Sequence, residues 1–144
     1  MSPIKRFKPV QRVAESREHK AAKAFNRSQQ QMQDQEARLE ELKRYHAEYL
    51  QRFQQSAQTG ISVAQLHEYR AFLAKLELAI EEQEKVVWAS QQHHSNHKEQ
   101  WQQKHIRSQV LDKVVARYQQ KSVKAVEFRE QQELDDRSQR RDKD

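Results

Sequence analysis

The chain has no cysteine, one glycine and two prolines among its 144 residues. Without cysteine there is no disulfide framework and no thiolate metal site, which fits a reducing compartment. A single glycine excludes a Gly-rich phosphate-binding loop. So few breakers also leave little room for loops or sheet. There is no run of about 18 apolar residues, so no membrane insertion is expected. The start, Met1-Ser-Pro-Ile-Lys-Arg-Phe-Lys-Pro9, is basic and lacks the apolar stretch of a secretory signal, giving the cytoplasm as the expected location. Hydrophobic residues are scarce as well, at 35%, against 33% charged residues and a mean hydropathy of −1.24. Such a chain either stays disordered or buries a narrow seam. The regular spacing of its large apolar residues decides for the seam.

What is present begins with Ser56–Leu66, which holds the lone glycine, Gly60. Glycine reaches left-handed backbone without steric cost and suits a helix end. Ser62 can then cap a new helix, with Gln65 at the capping-box position and Ile61 and Leu66 as a hydrophobic staple. The expected fold is all-α, a long two-helix antiparallel coiled-coil hairpin turning near Gly60. Helix 1 is expected over about 9–56, with Pro9 in its first turn, the turn over 57–61, and a longer helix 2 over about 62–133. Residues 134–144 are charged and are expected to be a disordered tail.

In helix 1, spacings of three and four alternate through Phe25, Ser28, Met32, Gln35, Leu39, Leu42, His46, Tyr49 and Phe53, with Ala14 and Ala21 thinning the seam before them. Helix 2 repeats the pattern from Leu66 through Trp101 and continues more weakly through Leu111, Val115, Tyr118 and Ala125. Folding back at Gly60 sets Tyr49 against Tyr69, Leu42 against Leu76, His46 against Leu73, Gln35 against Gln83 and Ser28 against Ser90. Matching glutamine with glutamine is the internal check, since facing buried amides fix register. The thin seam at Ala14, Ala21, Lys104 and Ser108 favours fraying over assembly, so a monomer is expected in isolation.

Positions beside a coiled-coil seam are usually charged. One side follows the rule, with Lys43 expected beside Glu77. The other carries Tyr45, Phe72, Ala79 and Val86, with Tyr45 beside Phe72, which makes an apolar strip suited to a protein partner. Charge is polarised too. Lys5, Arg6, Lys8, Arg12, Arg17, Lys20 and Lys23 crowd the N-terminal part, and Lys104, Arg107, Lys113, Arg117, Lys121, Lys124 and Arg129 the C-terminal third, within a net charge of +6. That balance suits an acidic protein surface or a nucleic acid. His93 and His97 stand four apart on one helix face, but no cysteine or carboxylate completes a set, and no metal site is expected. A narrow hairpin also offers no water-excluding pocket for catalysis, so the chain is expected not to be an enzyme and to need no cofactor.

Around the turn the residues run Leu39-x-x-Leu42-x-x-Tyr45-x-x-x-Tyr49, then Gly60-Ile61, then Tyr69-x-x-Phe72-Leu73-x-x-Leu76-x-x-Ala79-Ile80. This resembles the FliJ family, soluble stalk components of the bacterial flagellar type III export apparatus. The resemblance implies an antiparallel two-helix coiled coil similar to the central stalk subunit of rotary ATPases. It implies three partners: the hexameric export ATPase, the cytoplasmic domain of the export gate protein, and export chaperones. It also implies a peripheral position at the cytoplasmic face of the inner membrane. The family's gate-binding positions fall on Leu42, Tyr45, Tyr49, Phe72, Leu76 and Ala79. Two further ones fall on Arg38 and Gln83, where other polar residues are common. The basic residues Arg12, Arg17, Lys20, Lys113, Arg117 and Lys121 then belong to the end that enters the ATPase ring. A stalk of a related type III secretion system is the near alternative. A basic coiled coil binding nucleic acid is the distant one, and Trp101 and Tyr118 are not interleaved with basic residues as a stacking platform requires.

Overall fold

Ser2 opens the first helix, its Oγ accepting a long hydrogen bond (3.4 Å) from the Lys5 backbone N–H, with Pro3 in the first helical position where its missing N–H costs nothing. The computed structural model describes residues 2–143, which form two helices and no strand: α1, Pro3–Thr59, and α2, Val63–Lys143. The fold is the expected all-α helical hairpin with the second helix the longer. Its limits differ from the expectation. Helix α1 starts six residues before Pro9, which the helix carries within it near its N-terminal end. At the other limit, of the tail 134–144 expected to be disordered, 134–143 form the last turns of α2, and Asp144 lies outside the described residues. No glycine or proline follows Gly60 to break that helix. Gln131 also bonds Asp135 one turn on, and Arg140, Arg141 and Lys143 sit where cations favour a helix C-terminus.

Between the helices the chain reverses in three residues. Gly60 takes φ +93°, and Thr59 closes α1 by bonding the Ser56 carbonyl at 3.0 Å. The capping box forms in both directions. Gln65 N–H donates to Ser62 Oγ, and Ser62 N–H donates to Gln65 Oε1, each at 3.2 Å. Ser56 and Tyr69 hydroxyls, 3.2 Å apart, tie the two helices together just beyond the turn.

Contacts divide the chain into two units, residues 22–100 and the residues up to Ala21 together with those from Trp101 onward. The first unit holds the turn and pairs the helices antiparallel. Its core lies at Leu73, Leu76 and Val87, with Ser28 only 2% exposed. Tyr49 meets Tyr69 with ring centroids 5.4 Å apart, and Gln83 Nε2 donates to Gln35 Oε1 at 2.8 Å and to its carbonyl at 3.0 Å. The matched glutamines therefore do bond. The matched serines do not bond each other. Ser28 and Ser90 each return a hydrogen bond to the carbonyl three residues back, Phe25 and Val87. Glu77, expected beside Lys43, bonds His46 Nε2 at 3.3 Å.

The second unit pairs the start of α1 with α2 from Trp101. Phe7 stacks on Tyr118, centroids 5.4 Å apart and planes 20° off parallel. Gln11 bonds Asp112, and Glu18 bonds His105. Its best-buried residues are small, Ala14 (5%) and Ser108 (3%), beside Val115. Small side chains let two backbones approach closely, so the alanines that thin the seam on paper close it in space. Beyond Tyr118 every described residue of α2 is exposed, because α1 has run out of residues to pack on it.

Candidate functional site

Phe72 and Ala79 each stand one residue before a seam position, Leu73 and Ile80, and Tyr45 one before His46. Their side chains therefore leave the seam along its edge. In unit 22–100 this gathers five rings: Phe72 lies 4.3 Å from Tyr49 and 6.3 Å from Tyr45, and Tyr69 lies 5.4 Å from both Tyr49 and Phe53. The tilts of 46–58° are ordinary for aromatic edges meeting faces. Tyr45 remains 53% exposed, while Leu42, Tyr49, Phe72 and Ala79 are half-buried and Leu76 is buried. Next to the rings runs a groove of about 380 Å³ lined by Arg38, Glu41, Leu42, Tyr45, Leu76 and Gln83.

Five of the six groove residues are positions that the family resemblance singles out. Arg38 and Gln83 belong to it, although Gln83 has committed its amide nitrogen to Gln35. Glu41 is the addition that flanking-position reasoning misses, since on a helix it reads only as one more solvated charge. Leu42 and Leu76 give the groove an apolar lining, and Arg38 and Glu41 give it a charged rim. Apolar lining with a charged rim is the mixed character found in protein-binding grooves.

The basic residues Arg12, Arg17, Lys20, Lys113, Arg117 and Lys121 all lie in the unit that contains the chain ends, and all are exposed. None enters an ion pair among the described residues, so their charge faces outward. Lys121 alone is steered, its Nζ 5.9 Å above the Tyr118 ring. The anchor beneath it, Phe7 on Tyr118, is a contact that the sequence reading passes over. Counting back by seven from Ala21 through Ala14 arrives at Phe7, and that is the signal that would have found it.

Glu18 in the same unit has its carboxyl held below the usual carboxylate range, chiefly by the hydrogen bond from His105, with Ser108 assisting and burial opposing. His94 lies half-buried against Phe25, centroids 5.0 Å apart, with no hydrogen-bond partner for Nε2. His93 and His97 bring their Nε2 atoms within 3.1 Å. Among the described residues no group of three or more metal-ligating side chains comes together. No helix among them is long and apolar enough to cross a membrane.

The family model described as flagellar FliJ protein matches residues 3–142. No curated protein and no solved structure shows significant similarity to the chain.

Proposed function

The chain belongs to the flagellar FliJ family, and from that premise we propose that it is a non-catalytic stalk linking the export ATPase ring to the export gate. Membership makes it a component of the flagellar protein export apparatus. The observation that carries the finer reading is the strip at Tyr45, Phe72 and the adjoining groove. A coiled coil has no need of aromatics beside its seam, and these coincide with the positions that the resemblance gives to the gate.

The gate's cytoplasmic domain covers Tyr45 and enters the groove over Leu42 and Leu76, with Phe72 and Tyr49 holding the tyrosine ring in place. Completing the burial of an exposed aromatic contributes on the order of 1.5–3 kcal/mol, so one or two such residues dominate a small interface. The unit with the chain ends enters the ATPase ring. There Arg12, Arg17, Lys20, Lys113, Arg117 and Lys121 meet acidic groups, which governs encounter rate and salt dependence more than affinity. No group of the stalk takes part in ATP hydrolysis. Export chaperones are the third partner, and the protein sits peripherally at the cytoplasmic face of the inner membrane through the apparatus.

Pull-down with the purified ATPase and the gate's cytoplasmic domain tests the reading. Tyr45→Ala with Phe72→Ala is expected to lose the gate and keep the ATPase. Gate capture at the wild-type level by this variant would refute the assignment of the strip.

A further inference from the structure

Independently of the flagellar reading, we propose that His93 and His97 form a two-imidazole chelate for a divalent late transition metal, with copper(II) bound tightest. The two residues stand one helical turn apart on α2, in the middle of a segment that nothing interrupts. Their Nε2 atoms are 3.1 Å apart, their ring centroids 4.4 Å, and the rings meet at 83°. His93 is exposed and His97 half-buried, so solvent reaches the pair.

Without metal, one Nε2–H donates to the lone pair of the other ring. The accepting ring already carries its proton on Nδ1, so moving the donor's single proton to its own Nδ1 leaves two lone pairs that face one small space. At metal–nitrogen distances of about 2.0–2.1 Å, a 3.1 Å separation sets a bite of roughly 95–100°. That is close to the cis angle of tetragonal copper(II) or nickel(II), and somewhat tight for a tetrahedral ion. Imidazole nitrogen selects this group of metals, whereas magnesium and calcium take oxygen. Two protein ligands do not close a structural zinc site, so water completes the coordination. Neighbouring His94 is not a ligand, because its Nε2 is buried beside Phe25. The helix fixes the spacing before metal arrives, which is the source of the chelate's advantage over any single histidine of the chain.

The full chain titrated with copper(II) alone, by calorimetry and electron paramagnetic resonance, decides the matter. The expected result is one site of highest affinity with a tetragonal spectrum showing two imidazole nitrogens. His93→Gln and His97→Gln are each expected to weaken it at least ~10-fold. His67→Gln, an exposed histidine with no second histidine a turn away, leaves it unchanged, and excess magnesium does not displace the copper. Wild-type affinity in His97→Gln, an equal loss in His67→Gln, or a spectrum without imidazole nitrogen would overturn the proposal.

Discussion

Gly60 holds φ at +93° with open space where a Cβ would stand. A side chain there meets no atom, so the whole cost of adding one lies in the left-handed backbone. Gly60→Ala is expected to lower stability by ~1–2 kcal/mol, seen as a lower urea midpoint with an unchanged slope. Ser62→Ala removes one half of the capping box and costs ~1 kcal/mol by the same assay. The Gln35–Gln83 pair behaves differently from either. Gln83→Leu strands the Gln35 amide and is expected to destabilise by ~1–3 kcal/mol, whereas the double leucine variant regains most of the loss. A double-mutant cycle measures that coupling. Glu18 supplies the pH dependence. Its folded pKa lies below the ordinary 4.5, so its contribution is present above the unfolded value and disappears as pH falls through the lower folded one. The wild type is thus expected to exceed Glu18→Gln in stability at pH ~5, with the gap shrinking toward pH ~3 in thermal melts.

At the scale of the helices, the seam was legible because a three-and-four spacing has only one arrangement when the chain folds back on itself. Tyr49 on Tyr69 and Gln35 on Gln83 follow from that arithmetic once Gly60 is the origin. Two things were not legible. The proline at position 9 conceals a helix that already began at Pro3, although Ile4 and Phe7 keep the seam's spacing. Polarity conceals the helical end of α2, since a charged stretch without breakers reads equally as a solvated helix or as coil. The groove beside Tyr45 was legible only in part, because flanking aromatics announce a strip but not Glu41 on its rim. The exposed stretch after Tyr118 gives a clean expectation. A chain ending at Gln120 should keep its unfolding midpoint while losing ellipticity in proportion to the residues removed, since every described residue beyond it is exposed. Circular dichroism during a melt reads both quantities.

For the molecule as a whole, the two surfaces separate by physical type. Unit 22–100 carries an apolar groove, and the unit of the chain ends carries unpaired positive charge. Binding through the first should respond weakly to salt and binding through the second strongly. Arg117→Glu with Lys121→Glu is expected to slow association with the ATPase ring at low salt. The difference from wild type should fade as salt rises, by stopped-flow or surface-capture kinetics. The three-residue reversal at Gly60 also dictates an order of events. The Ser56–Tyr69 bond joins residues 13 apart in the chain, and the Gln11–Asp112 bond joins residues 101 apart. Closing the longer loop unaided costs ~2 kcal/mol more in chain entropy. Started from the turn, each further pair adds only a few residues of new loop. The hairpin therefore zips from Gly60 toward its ends. Phe7 and Tyr118 meet last during folding and part first during opening, so in pulsed hydrogen exchange the amides near the turn are protected before those of the terminal pair.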